Sequence, residues 1–314
     1  MKKKITIIGA GTVGAATAYA LLTRGEATEI VLIDIHTDKA LGEALDIKQA
    51  TPFLDNCDIY AGSYADAVDS DMVIITSGVG RKPGQSRLEL VQINVGIIKS
   101  IAKQIVRYAP NALYLMVTNP VDIMTYAFLK YSGLPKNQVF GSGTILDTVR
   151  LRTRLAEIYH VNKQQVHAHV LGEHGDSSFI AWSSANIAGI PLEDYGNVVA
   201  SHRIPIEYQR EDVESYVRRS GGKIIARKGS TVFGIATACT HVVKTIFGNA
   251  ETALTVSSLH EGEYGISDVC LSSLSLVDSQ GVRAIIPQKL SEEELRKMYA
   301  SAEALKAVIR DVEF

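Results

Sequence analysis

Short apolar runs alternate with longer amphipathic segments through the first half of the chain. Ile5, Ile7 and Ile8 form one run, and residues 30–33, 72–76 and 113–117 form three more. Runs of four or five apolar residues bounded by turn formers read as strands buried on both faces, as in a parallel sheet. Ile59-Tyr60 and Val139-Phe140 add shorter strand signals. Between the runs lie helical stretches. Residues 12–23 are Ala-rich, 38–50 carry Ala40, Leu41, Ala44, Leu45 and Ile47 on one stripe, and 88–108 return to a helical period. This alternation predicts an α/β architecture, a doubly wound parallel sheet with helices on both faces.

The second half has a different rhythm. Residues 144–159 read as a helix, 166–171 as a strand, and Gly172-Glu173-His174-Gly175-Asp176 as a tight polar turn. Residues 199–226 and 231–247 read as helices, broken by Arg227-Lys228-Gly229-Ser230. Residues 252–259, 269–276 and 282–286 alternate as antiparallel strands do, and Ser291 with three following glutamates starts a terminal helix. The reading is therefore two domains, a nucleotide-binding half at 1–142 and an α+β half at 143–314. The boundary is placed at the glycine pair Gly141 and Gly143.

The first strand, turn and helix carry a chemical signature. Gly9, Gly11 and Gly14 form a GxGxxG turn with Val13 inside it, after a strand and opening a helix. That is the setting a Rossmann dinucleotide fingerprint requires. Gly9 allows the tight turn, Gly11 lets backbone approach a pyrophosphate, and Gly14 lets the helix pack close to the strand. Amide groups of the first helical turn then face the phosphates. Asp34 ends the second strand 20 residues beyond Gly14. An acid there takes ribose hydroxyls and disfavours a 2′-phosphate, so the expected cofactor is NAD.

Composition narrows the remaining classes. The 314 residues carry a formal net charge of −2, which gives no reason to expect nucleic acid or an anionic membrane as partner. Cys57, Cys239 and Cys270 are scattered and form no CxxC pair, so neither a disulfide framework nor a metal site is expected. The basic start followed by a short apolar run breaks at once into glycines and reads as a strand, not a leader. No run approaches the length of a membrane span, and the expected location is cytoplasmic.

A nicotinamide enzyme needs a proton carrier, a group that tunes it and a clamp for substrate. Of the eight histidines, His174 suits the first role, lying between two glycines at a strand end. Asp147, in Gly143-Thr144-Ile145-Leu146-Asp147-Thr148-Val149-Arg150, suits the second. The plainer reading of Asp147 and Arg150 is an ordinary i, i+3 ion pair. The functional reading has Asp147 on a ring nitrogen of His174 and Arg150 gripping a carboxylate bidentately. Residues 77–86 hold three glycines and a proline and read as a loop that closes over substrate, with Arg87 beyond it to polarise a carbonyl. A solvated surface turn is the plainer alternative.

These pieces resemble the L-lactate/L-malate dehydrogenases over nearly the whole chain. The matching stretches are GAGTVG with LID, SRLELVQ, TNPVD, GTILDTVR and LGEHGDSS. The resemblance implies reversible hydride transfer on a small 2-oxo or 2-hydroxy acid. His174 is then the acid/base, Asp147 its partner, Arg150 the carboxylate clamp and Arg87 the polarising group. Asn119 is implied to hydrogen-bond substrate or nicotinamide, and Thr231 and Ile235 to line the pocket. It also implies a homotetramer, and Arg152 and His167 match the positions that hold fructose 1,6-bisphosphate at a subunit interface in responsive bacterial members. One residue departs from the lactate pattern. Arg81 stands before Lys-Pro-Gly, where lactate enzymes usually carry Gln and malate enzymes Arg. A guanidinium there pairs with the second carboxylate of oxaloacetate and is left unpaired by pyruvate, so Arg81 predicts oxaloacetate/L-malate activity, with pyruvate/L-lactate the alternative. A short-chain reductase needs a Tyr-x-x-x-Lys relay, which Tyr126 and Lys130 fit poorly. A non-catalytic NAD-binding redox sensor has no need of His174, Asp147, Arg150 and Arg87 together.

Overall fold

The computed structural model describes residues 3–54, 56–80, 84, 86–200 and 207–313, side chains at 87 and 198–200 excepted. In chain order the cofactor-side elements are β1 (Lys4–Ile8), α1 (Thr12–Thr23), β2 (Glu29–Ile33), α2 (Thr37–Lys48), β3 (Asp58–Ala61) and β4 (Met72–Ile75). They continue through α3 (Arg87–Ile105), β5 (Leu113–Met116), α4 (Val121–Ser132) and β6 (Val139–Gly141). The six strands pair in parallel, with Ile7 opposite Leu32 and Ile74, and Ile74 opposite Leu115. All five residues of β1 and all four of β4 are buried; β4 is accordingly an unbroken apolar run, while in β1 the polar Lys4 and Thr6 are paired with Glu29 and Ser70.

The remaining elements are α5 (Ile145–Tyr159), β7 (Val166–His167), β8 (Val170–Leu171), β9 (Phe179–Ile180), β10 (Asn186–Ile187) and β11 (Ile190–Pro191). After these come α6 (Leu192–Ala200), α7 (Arg210–Lys228), α8 (Phe233–Phe247), β12 (Thr252–Glu261), β13 (Ser267–Asp278), β14 (Gly281–Ile285) and α9 (Glu292–Asp311). β12, β13 and β14 are antiparallel, as their alternation predicts. They do not form a sheet of their own. β12 joins β6 at Ser257 opposite Gly141, giving one nine-stranded sheet in the order β14-β13-β12-β6-β5-β4-β1-β2-β3.

Helices cover both faces. Leu21, Leu22, Ala44, Ile47, Val242 and Val243 pack with Ile5, Ile7 and Ile74 on one side. Val91, Val95, Ile98, Phe128, Met298 and Leu305 pack with Val73, Ile75 and Met116 on the other. Helices α8 and α9 thus come from the second half and complete the layers of the first. A third apolar cluster joins Leu151, Leu155 and Tyr159 of α5 to Val213 and Val217 of α7. Among the described residues no helix is long and apolar enough to cross a membrane. All three cysteines are buried and free.

Three expectations are corrected. Residues 166–171 are not one strand: β7 pairs with β10, β8 with β9, and His169 separates them. The helix expected over 199–226 is two, because α6 ends at Ala200 and α7 begins at Arg210; residues 201–206 lie outside the described ones. Helix α4 has no counterpart in the pattern reading. Its residues 121–128 are all buried, Asp122 included, so it lacks the polar face that a helical period needs.

Candidate active site

The fingerprint turn folds as its glycines require. An added Cβ on Gly14 would sit 1.8 Å from the Gly9 carbonyl oxygen, so only glycine lets α1 pack this close to the turn. A Cβ on Gly11 would meet nothing within 4 Å. Gly11 is free of protein contact on that side and leaves the backbone open to a ligand. It caps α1 without a side-chain hydrogen bond, and the first turn carries no acid. The positive end of the helix dipole therefore faces the opening uncompensated. Asp34 braces the turn: its Oδ2 accepts from the Ala10 N–H at 2.7 Å and its Oδ1 from the His36 N–H at 2.9 Å. These residues fit the pyrophosphate and ribose of a dinucleotide.

A cleft of roughly 650 Å³ runs from this turn to the second half of the chain. Gly11, Val13 and Gly14 line one end; Asn119, Asp147, Arg150, His174, Thr231 and Ile235 line the rest. The structure thus brings together expected residues scattered over more than 200 positions. Asn119 begins at the end of β5, and its backbone oxygen accepts from Asn94 Nδ2 at 2.9 Å. Arg87 is the first residue of α3, set by a capping box in which Ser86 Oγ accepts from the Glu89 N–H. The Arg87 side chain lies outside the described atoms, and Arg81 outside the described residues.

His174 sits on the turn after β8, and its Nδ1 lies 2.5 Å from Asp147 Oδ2. The other carboxylate oxygen, Oδ1, accepts from Arg150 Nη1 at 2.8 Å. The i, i+3 ion pair with Arg150 and the contact with the His174 ring are thus made by one carboxylate. Its side chain is only 9% exposed, so these partners work in a desolvated setting. Burial opposes the charged imidazole, but the Asp147 charge and hydrogen bond outweigh it and raise the His174 pKa. Burial likewise opposes ionised Asp147, yet His174 and Arg150 hold its pKa below the usual carboxylate value. The constellation can hold a proton on His174 more firmly than a free imidazole does and offer an anion the face of Arg150 that Asp147 leaves.

A second carboxylate lies beneath. Asp122, 2% exposed in the first turn of α4, accepts from the His174 backbone N–H through Oδ2 at 2.8 Å. Burial pushes its carboxyl up to about 6, against the opposing hydrogen bonds of the Ser257 side chain and the His174 N–H. The sequence reading gave Asp122 no role. An acid in the run Val121-Asp122-Ile123-Met124, just after a strand, was the available signal.

The other candidates sit elsewhere. Tyr126 Oη and Lys130 Nζ both reach Asp268 Oδ1, at 3.0 and 3.2 Å, which removes them as a proton relay. Arg152 Nε donates to the Ala168 carbonyl at 3.0 Å, while His167 is exposed on β7. Between them His169 is pushed down to about 4 by burial and by the charges of Arg152 and His167.

The chain matches two family models, the lactate/malate dehydrogenase NAD binding domain over residues 3–141 and the lactate/malate dehydrogenase alpha/beta C-terminal domain over residues 144–314. It is 46% identical over 310 residues to an L-lactate dehydrogenase of Clostridium perfringens, covering 99% of this chain and 97% of that one. It is 44% identical over 311 residues to an L-lactate dehydrogenase of Acetivibrio thermocellus, covering 99% and 98%. Among solved structures, the minor L-lactate dehydrogenase of Enterococcus mundtii superposes with a TM-score of 0.94 at 38% identity, over 100% of this chain and 99% of the other.

Proposed function

The chain belongs to the lactate/malate dehydrogenase family and is an NAD-dependent oxidoreductase of small 2-hydroxy acids, and from this premise we propose the roles of its site residues. Residues 1–142 hold the cofactor, and residues 143–314 supply most of the substrate groups. NADH, when bound, supplies the hydride that the 2-oxo carbon takes up. Arg150 holds the substrate carboxylate, so the carbonyl oxygen lies toward His174. His174 then gives that oxygen its proton as the carbon–oxygen double bond becomes an alcohol. Oxidation runs the same path backward, with His174 taking the proton. Asp147 keeps the ring oriented and favours its charged form. Arg87 polarises the carbonyl, Asn119 orients substrate or nicotinamide, and Thr231 and Ile235 bound the pocket. The observation that carries this reading is the His174–Asp147–Arg150 cluster in the same cleft as the fingerprint turn.

For the substrate, the names of the relatives support pyruvate and L-lactate. Arg81 supports oxaloacetate and L-malate as a second pair, through the charge pairing described above. The test is NADH oxidation by the purified protein across concentration series of both 2-oxo acids. Turnover with pyruvate supports the first pair, and a kcat/KM for oxaloacetate equal to or above that for pyruvate supports the Arg81 reading. Failure to oxidise NADH with either acid overturns both.

We further propose a cytoplasmic homotetramer that responds to fructose 1,6-bisphosphate. Arg152 and His167 lie close enough to depress the His169 pKa, no acid being among the groups that shift it, and such a basic pair doubled at a two-fold axis suits a bisphosphate. Unchanged activity and unchanged mass by light scattering on adding the sugar phosphate would remove that part of the proposal.

A further inference from the structure

Helix α7 presents Arg218, Gly221, Gly222 and Ile225 to the cleft, one face at i, i+3, i+4 and i+7. Two adjacent glycines in the body of a helix weaken it relative to alanine. The backbone does not demand them, since neither has a positive φ. Packing does not demand them either. A Cβ on Gly221 would meet only Arg150 Nη2 and Nη1, at 3.6 and 3.9 Å, an ordinary contact. A Cβ on Gly222 would meet nothing within 4 Å among the described residues. The contrast with Gly14 is sharp, because there an added carbon strikes backbone. What Gly221 and Gly222 do is leave room in the cleft, immediately beside the guanidinium that faces the substrate carboxylate.

The surroundings say what kind of group fits that room. Arg218 has its counter-ion in Glu214, whose Oε2 accepts from Arg218 Nη2 at 2.6 Å and whose Oε1 accepts from Trp182 Nε1 at 3.0 Å. The same cleft wall carries the apolar side chains of Leu146, Ile225 and Ile235. Space next to an anchored carboxylate, bounded by aliphatic groups and a cation already paired, suits a hydrocarbon side chain.

We propose that Gly221 and Gly222 widen the cleft for 2-oxo acids whose apolar side chain is longer or more branched than the methyl of pyruvate. This rests on the 2-hydroxy acid dehydrogenase reading above, with Arg150 as the carboxylate clamp. The test compares kcat/KM for pyruvate, 2-oxobutyrate and 4-methyl-2-oxopentanoate in the full-length protein and in the Gly221→Ala and Gly222→Ala variants. In the unmodified chain both longer acids are expected within about tenfold of pyruvate. At least one variant lowers the ratio of 4-methyl-2-oxopentanoate to pyruvate by about tenfold or more, the scale set by a methylene in a hydrophobic pocket. Both variants also melt at higher temperature, since alanine restores helix propensity, so a lost ratio is not a lost fold. An unmodified chain that discriminates more strongly than this against 2-oxobutyrate, or ratios unchanged in both variants, overturns the proposal. Inactivity with all 2-oxo acids, pyruvate and oxaloacetate included, instead overturns the underlying activity.

Discussion

Replacing Asp147 by asparagine tests the centre of the site with almost no change of shape. The carboxylate now serves two cations at once, His174 through Oδ2 and Arg150 through Oδ1. An amide has one acceptor and one donor end, so it cannot satisfy both. With its oxygen toward Arg150, its NH2 group donates to His174 Nδ1 and locks the ring neutral. With its oxygen toward His174, its NH2 group opposes the Arg150 guanidinium. Either way the charge is gone. Two unit charges about 4 Å apart at an effective dielectric near 20 interact by about 4 kcal/mol. Losing that attraction lowers the His174 pKa, since burial of the imidazolium is no longer outweighed by Asp147. Reduction needs protonated His174, and its raised pKa keeps the proton in place above the ordinary imidazole range. The alkaline limb of the kcat/KM profile for NADH-dependent pyruvate reduction therefore moves to lower pH in the Asp147→Asn variant. Above the original limb, the lost charge-assisted hydrogen bond, worth about 1.5–3 kcal/mol, slows the variant by about ten- to a hundredfold. NADH binding, followed by fluorescence, stays within about threefold because Asp147 lies outside the fingerprint turn. Superimposable pH profiles, or a limb moved to higher pH, would refute the reasoning.

His174→Asn keeps NADH affinity while steady-state turnover drops by at least about two to four orders of magnitude, the range of a lost general acid/base; retained turnover would take His174 out of the mechanism. Arg81→Gln lowers the ratio of kcat/KM for oxaloacetate over pyruvate by about tenfold or more, because a paired charge is lost on one substrate only; an unchanged ratio would show that Arg81 does not read the second carboxylate. Asp122→Asn changes the pH dependence of stability. The Asp122 carboxyl is raised from 3.8 to about 6 in the folded chain. Its contribution is present in full below the unfolded value and is lost as pH rises through the folded one, a swing of about 3 kcal/mol. The asparagine has no such loss, so the melting temperature of the variant minus that of the original chain rises between pH 4.5 and pH 8. A flat or falling difference by calorimetry would show that Asp122 is not held in this state.

The cofactor half was legible because its signals are local. A GxGxxG turn, its strand, its helix and the acid after β2 lie within one βαβ unit, and each is dictated by backbone geometry. His174, Asp147 and Arg150 were legible as residue types on elements of known kind, and the family resemblance supplied their pairing. What periodicity alone could not reveal was their meeting, since α5 and the turn after β8 are brought together by β12 and β13. Helix α4 and Asp122 escaped for a single physical reason: an element buried on every side has no polar face, and a buried acid looks like a break in the pattern. The split of residues 166–171 into β7 and β8 was hidden by composition, because Val166 and Val170 are both buried and differ only in the strands they pair with.

The seam between the halves explains why one sheet can carry both cofactor and substrate groups. At Gly141 an added Cβ would come within 2.5 Å of Thr125 Oγ1 and 2.9 Å of Val121 Cγ2, so glycine lets α4 pack against β6 here, and β12 lies close as well, with the Ser257 Cβ at 3.1 Å. Two residues later Gly143 takes a φ of +50, and a Cβ there would lie 2.5 Å from the Ser257 amide nitrogen. The chain turns off the sheet at that point, and α5 starts with Asp147 in its first turn. Thr144 Oγ1 then ties the start of α5 to the carbonyl of Val170 at 2.5 Å, and Thr148 Oγ1 accepts from the Val170 N–H at 3.0 Å. Val170 opens the strand that leads into His174. Asp147 and His174 are therefore held together by two bonds from threonine hydroxyls of the Asp147 segment to the Val170 backbone, as well as by their own side chains. The proton carrier is fixed to the sheet that carries the cofactor turn through two glycines and two threonines, and a side chain at Gly141, which does not line the cleft, would loosen the catalytic geometry from outside it.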